Sequence, residues 1–158
     1  MIRVVFVCLG NICRSPMAEA VFTDLVEKAG LSDHFDVDSA GTSNYHVGES
    51  AHRGTRKVLS QHGIAYQGRS RQFTPADLNT FDYIVAMDSE NESDLRQLAN
   101  RHPTANKPKL VKLLNYARQT HYTDVPDPYY VGRFEDVYQA VLDGCVGLLA
   151  QIRNDHKL

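Results

Sequence analysis

Residues 2–8, Ile-Arg-Val-Val-Phe-Val-Cys, form a short, nearly continuous apolar run rich in β-branched side chains. A strand with one wet face alternates polar and apolar residues. A run like this one suits a strand buried on both faces, as inside a parallel sheet. Leu9-Gly10-Asn11-Ile12-Cys13-Arg14 follows directly, and then Ser15-Pro16. That pair reads as a helix start, because serine can cap and proline suits the first helical position. Met17, Val21 and Leu25 continue at helical spacing, and Gly30 is a natural stop. A buried strand feeding a helix through a short loop points to an α/β architecture.

The rest of the chain repeats the alternation. Residues 35–42, FDVDSAGT, alternate like a second strand, and a helix is expected over about 49–62, closed by Gly63. FDYIVAMD (81–88) reads as another buried strand, and Ser89 and Glu92 have capping-box spacing for a helix carrying Leu95 and Leu98. KLVKLLNY (109–116) fits either a strand or a helix. Phe134, Val137, Val141, Cys145, Leu148 and Ile152 share one face of a long final helix. There is no internal repeat, low-complexity tract or Pro/Gly linker. We therefore expect a single domain over residues 1–158 with an α/β fold: a doubly wound parallel four-stranded sheet with helices on both faces. Ligands in such sheets bind beyond the carboxyl ends of the strands. Cys8, Ser39 and Asp88 all fall at predicted strand ends.

Composition narrows the function classes. A chain of 158 residues that is 42% hydrophobic can bury a core of its own. A net charge of −2 argues against a general nucleic-acid binder. No apolar run approaches the roughly 18–20 residues of a membrane span. The amino-terminal run is too short and too polar at its end for a signal peptide. The cysteines number three, an odd count with no framework spacing, so reduced thiols and a cytoplasmic location are expected. The seven histidines lack any HExxH or CxxC partner pattern and read as solvated side chains. No metal and no cofactor is expected; oligomeric state is not legible.

The loop after the first strand carries the chemistry. A helix N-terminus offers free N–H groups and a positive dipole end, and successive loop N–H groups can form an anion nest. Gly10 allows backbone that other residues resist, and Asn11 tolerates left-handed geometry. Arg14 supplies a planar fork matched to two phosphate oxygens. Cys8 would sit beneath such an anion, in surroundings that favour the nucleophilic thiolate. The Ser15 hydroxyl can donate to its sulfur while accepting from an N–H. The plainer alternative is a core cysteine before an ordinary turn. Position at a strand end, with Gly and Asn in the tight part of the loop, favours the first reading. Neither G-x-x-x-x-G-K-[ST] nor G-x-G-x-x-G occurs.

A thiolate attacking a phosphate ester needs a proton for the leaving group. Val-Pro-Asp-Pro-Tyr-Tyr (125–130) offers one, since the prolines on either side hold Asp127 rigidly on a loop. A carboxyl held beside a bound anion suits a general acid. Tyr129 and Tyr130 form an exposed aromatic step.

Taken together, these segments resemble the low-molecular-weight protein tyrosine phosphatases, in their bacterial type, over nearly the whole chain. VCLGNICRSPMAEAVF (7–22) is similar to the signature loop and first helix, and DSAGTSNYHVG (38–48) to the second strand and variable loop. RQFTPADLNTFDYIVAMD (71–88) is similar to the middle segment and DPYY (127–130) to the acid loop. The resemblance implies metal-free, two-step hydrolysis through a phosphocysteine, acting on phosphotyrosine-containing proteins. Cys8 matches the nucleophile, Arg14 the phosphate-binding arginine and Asp127 the proton donor. Leu9, Gly10, Asn11, Ile12, Cys13 and Arg14 match the phosphate-binding loop. Asn11, Ser15 and Ser39 match its supporting network, and Cys13 the second thiol that traps an oxidised nucleophile. Tyr45, His46, Tyr129 and Tyr130 match the substrate cleft. Many animal members place a histidine of that network where this chain has Gly68.

Three alternatives share parts of this pattern. Arsenate reductases use the same fold and loop but relay a disulfide to a downstream cysteine pair; here the only later cysteine is Cys145, in the predicted core face of the last helix. Phosphoarginine-specific relatives carry threonine where this chain has Ile12. A phosphotyrosine-binding module would lack the nucleophile or the acid, and both are present.

Overall fold

The computed structural model describes the backbone of residues 1–158 and every side chain except that of Val131. Four strands, β1 (Ile2–Cys8), β2 (Phe35–Gly41), β3 (Tyr83–Ala86) and β4 (Lys109–Lys112), form one parallel sheet in the order β2-β1-β3-β4. The helices are α1 (Arg14–Lys28), α2 (Arg53–Gln61), α3 (Asp77–Thr80), α4 (Ser89–Arg101), α5 (Pro128–Val131) and α6 (Phe134–His156).

Alternate residues of the central strands serve opposite faces. Val4, Phe6 and Cys8 of β1 join Tyr83 and Val85 of β3 in a core shared with α1, α2 and α6. Val5, Val7, Ile84 and Ala86 point the other way, onto Phe73, Leu78, Phe81 and Leu95. The sheet is thus covered on both faces, as a doubly wound α/β fold requires. Phe22 of α1 packs between Phe6 and Phe35, with ring centroids 5.5 and 5.7 Å away. Burying each such ring contributes about 1.5–3 kcal/mol. This cluster clamps α1 onto β1 and β2, and so fixes the loop that joins β1 to α1. Among the described residues, no helix is long and apolar enough to cross a membrane.

Several boundaries differ from expectation, each for a physical reason. Helix α1 begins at Arg14 with Cys13 at its N-cap, not at a capping Ser15; no side chain caps it. Pro16 is therefore its third residue, where the missing N–H is still one of the unpaired first four. The helix expected from 49 begins at Arg53. Glu49 and Ser50 are engaged instead with residues 69–70: Ser50 bridges Arg69, and Ser70 N–H donates to the Glu49 carbonyl at 2.8 Å. His52 caps α2, its Nδ1 accepting from Gly54 N–H at 3.0 Å.

Strand β3 is shorter than 81–88, because Phe81 closes α3 and Asp88 caps α4. The carboxylate of Asp88 accepts from Asn91 N–H at 2.7 Å, so Ser89 is inside the helix and the Ser89–Glu92 capping box does not form. Segment 109–116 divides into strand β4 and a 3-10 turn at Leu113–Tyr116. Asp127 lies in no open loop; it caps the short helix α5.

Candidate active site

Strands β1 and β3 are neighbours whose connections leave in different directions, and the loop after β1 lies beyond their carboxyl ends. Its carbonyl oxygens are turned into the protein. That of Cys8 accepts from Thr42 N–H at 2.9 Å, and that of Leu9 from Ser43 N–H at 3.0 Å and Ser43 Oγ at 2.9 Å. Ser70 Oγ donates to Gly10 at 2.9 Å, His52 N–H to Ile12 at 2.7 Å and Thr55 Oγ1 to Cys13 at 3.1 Å. With the carbonyls turned away from the cleft, the N–H edge of the loop is left toward it, at the positive end of α1. That is the geometry of an anion nest.

The tight turn is at Asn11, with φ +56°, and not at Gly10, which keeps an ordinary negative-φ backbone. Glycine serves at position 10 for clearance: a Cβ there would stand 3.0 Å from His46 Cδ2. Asn11 is locked in its left-handed conformation from both ends of its amide. Its Nδ2 donates to Ser15 Oγ at 2.8 Å and Ser39 Oγ at 3.0 Å, and its Oδ1 accepts from Arg71 N–H at 3.0 Å. Its own N–H points at the Cys8 sulfur, 3.2 Å away, and Ser15 Oγ lies 3.0 Å from the same sulfur. A thiolate there has two donors.

Arg14 is 4% exposed, and its guanidinium spans two carboxylates. Nη1 donates to Asp88 Oδ2 at 2.6 Å and to the Val125 carbonyl at 3.0 Å, while Nη2 faces Asp127 Oδ2 at 3.4 Å. Burial works against the charge, but Cys8, Asp88 and Asp127 outweigh it and hold the guanidinium above its ordinary value. Asp127 Oδ1 meanwhile accepts from Tyr129 N–H at 3.0 Å. The segment before it is tied to the sheet. Val125 N–H donates to the Met87 carbonyl at 2.9 Å, and Asp124 Oδ1 accepts from Lys112 Nζ at 2.7 Å and Ser89 Oγ at 3.0 Å. Burial pushes the Asp124 carboxyl up, yet these donors win and keep it below its usual range.

A cleft of about 200 Å³ opens over the loop. Cys8, Leu9, Gly10, Ile12, Cys13 and Arg14 form its floor, and Tyr45, His46, Asp127, Tyr129 and Tyr130 its walls. The Tyr129 ring stands 6.2 Å from His46 and 5.2 Å from Tyr130, centroid to centroid. Asn11, Ser15 and Ser39 lie behind the floor and are buried. A thiol, the loop that holds it, a guanidinium and a carboxyl share one small cavity under aromatic walls.

The family model for low molecular weight phosphotyrosine protein phosphatases matches residues 3–158. The chain belongs to this family. It is 48% identical over 159 residues to the low molecular weight protein-tyrosine-phosphatase YfkJ of Bacillus subtilis, covering all of both chains. It is 43% identical to the PtpA phosphatase of Staphylococcus epidermidis, over all of this chain and 98% of that one. The crystal structure of YfkJ superposes with a TM-score of 0.90 across 98% of this chain and 96% of that one. A Drosophila arginine phosphatase structure gives the same TM-score at 35% identity, over 95% and 97% of the two chains. The protein is a phosphoric monoester hydrolase of the bacterial type.

The remaining cysteines of the phosphatase differ in setting. Burial, with Cys8 and Asp127 nearby, pushes the Cys13 thiol up to about 12. Cys145 is fully buried in α6. Three features of the site escape a reading of the sequence. Asp88 stands out there as a polar strand end, but its pairing with Arg14, 74 residues away, is tertiary. Ser43, Ser70 and Thr55, which hold the loop carbonyls away from the cleft, carry no local signal. Glu19 accepts from Ser39 Oγ at 2.6 Å. The signal for it is local: Glu19 stands four residues after Ser15, and so on the same side of α1.

Proposed function

We propose that the phosphatase hydrolyses phosphotyrosine and other aryl phosphate monoesters of proteins through a covalent phosphocysteine on Cys8. The observation that carries this reading is the convergence of Cys8, Arg14 and Asp127 on one cleft of about 200 Å³. The phosphoryl oxygens take the loop N–H groups and the Arg14 fork, which replace its contact with Asp127. The Cys8 thiolate attacks phosphorus; the S–P bond forms as the P–O bond to the aryl group breaks. Asp127 gives its proton to the departing oxygen. Water then attacks the phosphocysteine and loses a proton to the Asp127 carboxylate. The S–P bond breaks, inorganic phosphate leaves, and both side chains return to their starting states.

The walls support an aryl substrate. An aryl phosphate reaches the loop while its ring lies among Tyr45, His46 and Tyr129, and such ring contacts are worth about 0.5–1.5 kcal/mol beyond burial. A phosphoserine stem is shorter and has no ring. Phosphoarginine belongs in the same assay, because an arginine phosphatase shares the fold; apolar Ile12 in the floor argues against it.

Asp127→Ala tests the proton transfer. It is expected to lower kcat by about 10²-fold for poor leaving groups and by less for good ones. Equal losses across a series of alkyl and aryl phosphates, assayed with chelator, would contradict the role.

Redox behaviour follows from the same loop. Peroxide is expected to oxidise the Cys8 thiolate to sulfenic acid, which condenses with the Cys13 thiol to a disulfide and releases water. Peptide mapping should find Cys8 linked to Cys13. A Cys13→Ala enzyme that regains activity in thiol as fully as wild type would contradict a protective disulfide.

A further inference from the structure

The network behind Cys8 does not end at Ser39. Ser39 Oγ donates to Glu19 Oε1 at 2.6 Å, and Tyr66 OH donates to the same oxygen at 2.9 Å. We infer that Tyr66, acting through Glu19, fixes the direction of the hydrogen bonds that reach the Cys8 sulfur, and is thereby a positioning residue for the reaction.

The argument is one of proton counting. An ionised carboxylate only accepts, whereas a hydroxyl has a single proton to give. With its proton committed to Glu19, Ser39 can only accept from Asn11, which presents Nδ2 to it at 3.0 Å. The amide orientation is then set: the same Nδ2 donates to Ser15 Oγ at 2.8 Å, and Oδ1 receives Arg71 N–H at 3.0 Å. Ser15 thus accepts from Asn11 and keeps its own proton for the sulfur 3.0 Å away, in preference to the Ala40 carbonyl at 3.4 Å. If Glu19 became a donor, Ser39 would be free to turn its proton toward Asn11. The direction of every later bond would then be lost.

Glu19 needs help to remain an acceptor. Burial, with Asp38 adding to it, holds its carboxyl above the ordinary value, and Ser39, Tyr66 and Arg71 limit that rise. Burial also raises the Tyr66 phenol, so it stays protonated and donating. Tyr66 belongs to no helix or strand, and its ring packs against the main core from the segment after α2. Position 68 makes room for it: a Cβ on Gly68 would overlap the Tyr66 hydroxyl. The glycine and the tyrosine are therefore one device.

This inference rests on Cys8 being the nucleophile, and the test separates the two. Tyr66→Phe keeps the ring and removes only the donor. It is expected to stay folded by circular dichroism and to lose about tenfold in kcat on an aryl phosphate, below the roughly 10²-fold cost of displacing a reacting group outright. Its KM should stay within about twofold, since the loop N–H groups and Arg14 are untouched. Gly68→Ala, which displaces the phenol, should show the same kcat loss. Adding Tyr66→Phe to Glu19→Gln should cost nothing further, because the two act in series. Wild-type kcat in Tyr66→Phe or in Gly68→Ala, or losses that multiply in the double variant, would overturn the inference. Turnover surviving in Cys8→Ser would instead overturn the covalent reading beneath it.

Discussion

Cys8→Ser is expected to abolish turnover while inorganic phosphate still binds. The cradle is built from groups the substitution leaves alone: the loop N–H groups opposite carbonyls that are tied into the protein, Asn11 with its amide locked at both ends, and the Arg14 guanidinium. What changes is the attacking atom. A serine hydroxyl is barely ionised at neutral pH, and the hydrogen-bond partners of the Cys8 sulfur, Ser15 Oγ and Asn11 N–H, include no base. Ser15 Oγ, 3.0 Å from the sulfur, is itself a hydroxyl already accepting from Asn11. A nucleophile activated by donors alone works only when it arrives as an anion. Phosphate binding followed by calorimetry and steady-state assay of the same preparation check both halves. Readily measured turnover would contradict the covalent role.

Arg14→Lys should cost about 10³-fold in kcat/KM, the scale of losing preorganised donors aimed at transition-state oxygens. The guanidinium holds Asp88 and the Val125 carbonyl through Nη1 and keeps Nη2 for the cleft. An ammonium is a point charge without that planar fork. If it stays with Asp88 it cannot reach two phosphoryl oxygens; if it moves to the phosphate it leaves Asp88 and the Val125 carbonyl without their donor. Both KM and kcat should suffer, because the lost contacts exist in the ground state and strengthen in the transition state. A kcat/KM within about tenfold of wild type would remove Arg14 from the chemistry.

The fold was legible where physics is local. The β1 run, the α1 periodicity and the long face of α6 are patterns within single segments, and the structure follows them. Boundaries were less so. Helix α1 begins at Arg14 with Cys13 at its N-cap, and the Ser15 hydroxyl lies 3.0 Å from the Cys8 sulfur instead of capping the helix. Helix α4 is capped by Asp88, one residue before the serine the motif suggests, since that carboxylate holds both Asn91 N–H and Arg14. The first helical stretch after β2 is consumed by pairing with residues 69–70, a contact between distant segments.

The candidate site was legible for the same reason in part. Cys8 through Arg14 are consecutive, so strand, loop and helix announce them together. Tyr45, His46, Asp127, Tyr129 and Tyr130 come to the cleft from elsewhere; Asp127 was read from the prolines around it, and the others' place in the cleft from the family resemblance. The Lys112–Asp124 anchor and the Tyr66–Glu19 pair join residues 12 and 47 apart on elements whose packing only the fold defines. Gly10 and Asn11 exchange their expected parts, because clearance for the His46 ring and a left-handed turn are separate demands on adjacent positions.

The most direct measurement is to trap the intermediate. Rapid acid quench of the phosphatase with an excess of aryl phosphate, followed by mass spectrometry of its peptides, reads where the phosphoryl group sits. The account predicts one phosphoryl group on the peptide containing Cys8, absent from Cys8→Ser and more abundant in Asp127→Ala with a good leaving group, because the water step lacks its base. A quenched enzyme turning over at full rate with no phosphoryl group on Cys8, or with one on another residue, would contradict it.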